Sequence, residues 1–156
     1  MLNYGLKGGY SSQVWSIDSV IGDSPVPRKS PEIVVIDDSP TSISLYELST
    51  GPLDVNLRSF QSATESLVYL QDHGADLLFL DVLMREKDGL TLLKKLRGMK
   101  RHQNTAVVMV TSKDYHQDRT IARQLGVREY LVKPLRSQEI REIICKYTDA
   151  QPDSGR

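Results

Sequence analysis

Adjacent acids at Asp37-Asp38, a third acid at Asp81, a hydroxyl at Thr111 and an ammonium at Lys133 each follow directly on a short apolar run. The runs are Ile33-Val34-Val35-Ile36, Leu77-Leu78-Phe79-Leu80, Ala106-Val107-Val108-Met109-Val110 and Tyr130-Leu131-Val132. Carboxylates crowded at low dielectric repel one another, which raises the pKa of at least one unless a cation intervenes. A hard cation such as Mg²⁺ takes oxygen ligands, keeps several waters and shares its remaining positions with phosphate oxygens. A hydroxyl and an ammonium beside it suit the equatorial oxygens of a transferring phosphoryl group. The set therefore points to phosphoryl chemistry at a divalent cation. An Asp38 or Ser39 that merely caps a helix leaves Asp81, at the end of another apolar run, unexplained.

These groups must be brought together by the elements that carry them. Apolar runs of four to five residues without polar alternation suit strands of a parallel sheet covered on both faces. In such open sheets ligands bind beyond the carboxyl ends of the strands. Between the runs lie helical patterns. Ser39 and Pro40 open a helix carrying Ile43, Tyr46 and Leu48, and Gly51-Pro52 stops it. Val55 to Phe60, less apolar, reads as a second strand near a sheet edge, followed by a helix with Ala63, Leu67 and Leu70 on one face. A helix with Leu92, Leu93 and Leu96 follows the loop from Val82 to Gly89. Another spans about His116 to Leu125, and Ser137 is expected to cap a last helix with the stripe Ile140, Ile143, Ile144 and Tyr147. Five βα units with right-handed crossovers place helices on both faces of a five-stranded parallel sheet, a doubly wound α/β fold.

Length and composition fit this. The 156 residues make about one domain. The 20 basic and 20 acidic residues cancel, so no overall field draws the chain to nucleic acid or to an anionic membrane. No run approaches the roughly 20 apolar residues of a membrane span, and no signal peptide is visible, so a cytoplasmic location is expected. Cys145 is the single cysteine, which excludes an internal disulfide, and its helical position reads as small apolar packing. His73, His102 and His116 lack metal-ligand spacing and read as surface residues. Residues 1–30, rich in Gly and Ser, read as a tail and linker with a candidate short helix near 12–21. The domain proper covers 31–148, and 149–156 read as a frayed tail.

In the order and spacing of these residues the chain resembles the receiver domain of two-component response regulators, a flavodoxin-like (βα)5 module with strand order 2-1-3-4-5. The resemblance covers about residues 31 to 147. It implies that Asp37 and Asp38 support Mg²⁺ together with Asp81 and the backbone carbonyl of Leu83, and that Asp81 is the phosphoacceptor. It implies further that Lys133 binds the phosphoryl group, Thr111 is the switch hydroxyl and Tyr130 the switch aromatic. Lys133-Pro134 fits the cis peptide usual in the family, and Asp88-Gly89 fits its turn into the third helix. Implied partners are a sensor histidine kinase or histidine phosphotransfer protein as donor, and a downstream protein or effector domain as reader. A second copy of the chain is a further candidate, while direct nucleic-acid or membrane binding is not expected. One departure is visible: a proline commonly follows the methionine of the loop after Asp81, whereas Met84 here precedes Arg85-Glu86-Lys87, which leads us to expect a more mobile loop.

Two other readings compete. A small phosphohydrolase using an aspartyl phosphate needs a second acid two residues after its nucleophile, and that position is Leu83. An adaptor that signals without phosphorylation is disfavoured because every charged member of the site is intact. A signalling phosphoacceptor, not an enzyme in the ordinary sense, is the expectation.

Overall fold

Side chains alternate across the faces of a strand, and here each face finds its own helical cover. The computed structural model describes residues 27–155; the candidate helix near 12–21 lies outside them. Strands β1 (Glu32–Ile36), β2 (Asn56–Phe60), β3 (Leu77–Asp81), β4 (Ala106–Thr111) and β5 (Glu129–Val132) form one parallel sheet in the order β2-β1-β3-β4-β5. Between and after them come α1 (Pro40–Thr50), α2 (Ala63–Asp72), α3 (Gly89–Arg97), α4 (His116–Gln124) and α5 (Ser137–Tyr147). Ile33, Val35, Leu77, Phe79, Val108 and Val110 pack against α1 and α5 through Ile43, Tyr46, Ile140, Ile143 and Ile144. Val34, Ile36, Leu78, Leu80, Val107 and Met109 face α2, α3 and α4 through Leu70, Leu93, Leu96 and Ala122. The three central strands are buried on both sides, which is why they read as unbroken apolar runs. The less apolar β2 is an edge strand, as its composition predicts.

Local signals set the ends of the helices. Ser39 caps α1 by accepting the Ser42 N–H with Pro40 at the first helical position, and Ser62 caps α2 in the same way. Gly126, at φ 73°, takes the left-handed conformation that ends α4. The last helix differs from expectation: Arg136 is its N-cap and Glu139 reaches back to accept the Arg136 N–H at 2.8 Å. The Ser137 hydroxyl is instead used between helices, accepting from Ser49 of α1 at 3.0 Å.

Four further expectations are corrected. Leu48 is 75% exposed, because the buried stripe of α1 runs through Ile43, Tyr46 and Thr50. Cys145 is exposed, one residue beyond the Ile143-Ile144 stripe that faces the sheet. His102 is buried at 1% exposure. Its Nε2 donates to the Leu70 carbonyl at 2.7 Å, and its Nδ1 lies 3.0 Å from the Thr105 hydroxyl, so the ring ties α2 to the segment before β4. Finally, the residues after α5 are pinned as far as Asp153. Pro152 bridges to Leu53, the Asp54 N–H donates to the Gln151 carbonyl at 2.8 Å, and the Asp153 N–H donates to the Pro52 carbonyl at 2.8 Å.

Candidate functional site

Register places the strand-end groups side by side. Asp81 closes β3 opposite Val110, Thr111 closes β4 opposite Val132, and the Lys133 N–H donates to the Thr111 carbonyl at 2.8 Å. Asp37 follows β1, the neighbour of β3, and its N–H donates to the Phe60 carbonyl at 3.0 Å. Asp37 and Asp81 are buried, at 2% and 5% exposure, and Asp38 is half-buried. One oxygen from each of the three carboxylates falls within 4.8 Å of the others.

Lys133 lies among them. Its Nζ donates to Asp37 Oδ2 at 2.8 Å, to the Ser42 hydroxyl at 3.3 Å and to Asp81 Oδ2 at 3.4 Å. The other oxygen of Asp81 accepts the Leu83 N–H at 3.2 Å, and the other oxygen of Asp37 accepts the Ser39 N–H at 2.9 Å. Burial pushes the Asp81 carboxyl up to about 6, and Asp37 adds to the rise, against the opposing pull of Lys133 and the Leu83 N–H. Burial works against the Lys133 ammonium, but its bonds and charge interactions with Asp37 and Asp81 outweigh it and lift its pKa. Tyr46 lies beneath the acids; burial raises its phenol further above the ordinary value, with Asp37 and Asp81 adding to the shift. The site thus holds more negative charge than its lysine balances. Three hard oxygen donors in reach of one point fit a divalent cation such as Mg²⁺.

Thr111 is fully buried but turned to its own loop, donating to the Lys113 carbonyl at 2.8 Å and accepting the Lys113 N–H at 3.1 Å. Tyr130 is half-buried on the α2–α3–α4 side of the sheet. Its hydroxyl is buried and finds no hydrogen-bond partner among the described residues. The Arg119 guanidinium lies 4.9 Å from the centre of the Tyr130 ring and forms two 2.9 Å bonds with Asp114. Lys133–Pro134 is cis.

Of the expected residues, Lys133 bonds Asp37 and Asp81, Asp38 brings an oxygen within 4.8 Å of theirs, and Thr111 bonds within its own loop. Two contributors were not foreseen. Ser42, on the first turn of α1, shares Lys133, and only its position shortly after the acidic pair hinted at a role. Arg85 pairs with Asp38, its backbone N–H donating to Oδ2 at 2.9 Å and its Nε to the same atom at 3.3 Å. The loop expected to be mobile is thereby anchored at Asp38, and Glu86 anchors it again by accepting the Thr64 hydroxyl at the start of α2.

Comparison with known proteins agrees with this fold. Residues 33–145 match the response regulator receiver domain family. The chain is 32% identical over 115 residues to the response regulator Rre1 of Synechocystis, covering 72% of this chain and 49% of that protein. It is 34% identical over 109 residues to the transcriptional regulatory protein CpxR of Klebsiella pneumoniae, covering 70% and 45%. The chain spans about half the length of these curated relatives. Among solved structures, the chemotaxis response regulator CheY4 of Vibrio cholerae superposes with a TM-score of 0.71 at 18% identity, covering 77% of this chain and 100% of that one. The phosphorylated cyanobacterial phytochrome response regulator RcpA gives 0.70 at 19% identity, covering 81% and 100%; at such identities the likeness is one of fold. Because the match runs from the first strand into the last helix, through every element that positions the acids and the lysine, the chain belongs to the receiver domain family of two-component response regulators.

Proposed function

We propose that Asp81 is the phosphoacceptor of this receiver domain. The observation that carries the reading is the clamp on its carboxylate: Lys133 on Oδ2, the Leu83 N–H on Oδ1, and two further acids beside it. In transfer from a phosphohistidine, an Asp81 oxygen forms the new bond to phosphorus as the P–N bond breaks in line, and the electron pair returns to the imidazole. Lys133 neutralises charge on the phosphoryl oxygens, and the protein contributes chiefly by positioning. Asp37, Asp38 and Asp81, with the Leu83 carbonyl, would hold Mg²⁺, which supplies positive charge to the acceptor and phosphoryl oxygens when bound. Thr111 then exchanges its bond to the Lys113 carbonyl for one to the phosphoryl group. That exchange alters the loop carrying Asp114, and through Arg119 it reaches Tyr130 and the face of α4, β5 and α5.

The donor is a sensor histidine kinase or histidine phosphotransfer protein in the cytoplasm. The reader is a protein partner, an effector domain or a second copy of the chain. Among the described residues no helix is long and apolar enough to cross a membrane. A hydrolase reading is not favoured: the second position after Asp81 is Leu83, 40% exposed, with no acid to protonate a leaving group.

Incubation with acetyl phosphate and Mg²⁺ is expected to give a phosphoryl adduct by intact mass spectrometry on the wild type and none on Asp81→Asn. Absence of an adduct on the wild type overturns the reading. A second expectation concerns lifetime. Leu83, whose N–H bonds Asp81, and Lys113, bonded to Thr111, offer no side-chain acceptor to orient an attacking water, so self-dephosphorylation is slow. Phosphate release complete within seconds would overturn that expectation.

A further inference from the structure

We propose that Arg85 is the resident counter-ion of Asp38 and sets the site's affinity for its divalent cation; this rests on the phosphoacceptor reading above. The described site shares its cations unevenly. Lys133 serves Asp37 and Asp81, while Asp38 is served by Arg85 alone. Both Arg85 bonds converge on one oxygen, Oδ2, at 2.9 Å from the backbone N–H and 3.3 Å from Nε. The backbone bond is one that a proline at this position has no N–H to make. It holds the loop over the acidic pair, and the Glu86 bond to Thr64 holds the loop's next residue. The guanidinium is thus delivered to Asp38 by an anchored backbone, although its side chain is 89% exposed.

A divalent cation entering this cluster meets a positive charge already bonded to one of its three carboxylates. If Asp38 Oδ2 turns to the metal, the ion pair is lost. If the metal takes the other oxygen, the guanidinium stays as a repelling neighbour. Both routes cost affinity: the first breaks the backbone bond as well as the ion pair, and the charge of the guanidinium contributes to either. Arg85→Ala separates the two, since it keeps the N–H and deletes the charge.

Titration of Mg²⁺ into the full chain by calorimetry at low ionic strength measures the effect directly. Arg85→Ala is expected to bind about three- to tenfold more tightly than the wild type, the scale of one partly exposed ion pair plus the repulsion it leaves behind. Arg85→Lys is expected to stay near the wild type, and the gap is expected to shrink in high salt. Lys87→Ala removes the same charge two residues along the same loop and is expected to shift affinity less. Unchanged or weaker Mg²⁺ binding by Arg85→Ala, or an equal shift in Lys87→Ala, overturns the proposal while leaving the phosphoacceptor reading intact. A folded wild type that takes up no Mg²⁺ overturns both. The Arg85 side chain is 89% exposed and its surface ion pair contributes little to folding, so thermal melts of the variants are expected to match the wild type without Mg²⁺.

Discussion

Gly89→Ala is expected to destabilise the domain by about 3 kcal/mol or more, above the usual range for adding one methyl to a packed interior. Gly89 opens α3 directly against the end of β3, and its N–H donates to the Val82 carbonyl at 2.8 Å. A Cβ there would lie 2.1 Å from the Asp81 carbonyl oxygen and 2.9 Å from the Val82 Cα. Both are backbone atoms, so no side chain can turn aside to relieve the clash. Either α3 lifts from the sheet, uncovering Leu90 and Leu93, or the Asp81 peptide moves. The same substitution is therefore expected to slow phosphorylation by acetyl phosphate as well as to lower the urea midpoint. Gly74→Ala is the control: nothing lies within 4 Å of its Cβ, and its effect is expected to be neutral or mildly stabilising. Equal urea midpoints for the two variants would refute the close-approach argument.

Asp81→Asn is expected to make the metal-free protein more stable at pH 7, on the order of 2 kcal/mol, while abolishing phosphorylation. The Asp81 carboxyl is pushed up to about 6 from an ordinary 3.8, first by burial and then by Asp37. The folded state therefore holds that proton more tightly than the unfolded chain. Stability from this group is present in full below about 4 and is lost as pH rises through about 6. The asparagine variant has no such proton to lose. Urea unfolding in a chelator should show the two proteins converging toward pH 4.5 and separating toward pH 7.5. Mg²⁺ should then stabilise the wild type more than the variant, since binding to the folded state shifts its unfolding by mass action. Parallel curves across that range would contradict the charge excess inferred at the site.

The central strands were legible because burial on both faces leaves only apolar side chains, and that signal ends where the chemistry begins, at Asp37, Asp81, Thr111 and Lys133. What the sequence did not carry were contacts set by distant segments. Ser42 and Lys133 lie 91 residues apart in the chain, and Arg85 and Asp38 lie 47 apart. A charged residue near the acids was visible, but not the carboxylate it would choose. His102 is the clearest case. A histidine in a Lys-Arg-His-Gln run reads as surface, and its burial follows from the Leu70 carbonyl, which it satisfies across 32 residues. Leu48 and Cys145 failed differently. Helical periodicity tolerates a neighbour at the margin of the stripe, and only packing decides on which side that neighbour falls.

The two described ends of the chain meet at the opposite pole from the acids. Arg28 pairs with Asp149 at 3.2 Å, Ser30 donates to Asp54 at 2.7 Å, and Pro152 lies along Leu53, all at the amino ends of the strands. In practical terms this is the geometry of a cartridge. A fluorophore pair, a surface tether or a host protein joined near residues 28 and 153 would sit on the far side of the sheet, leaving the mouth around Asp81 open to a docking phosphodonor.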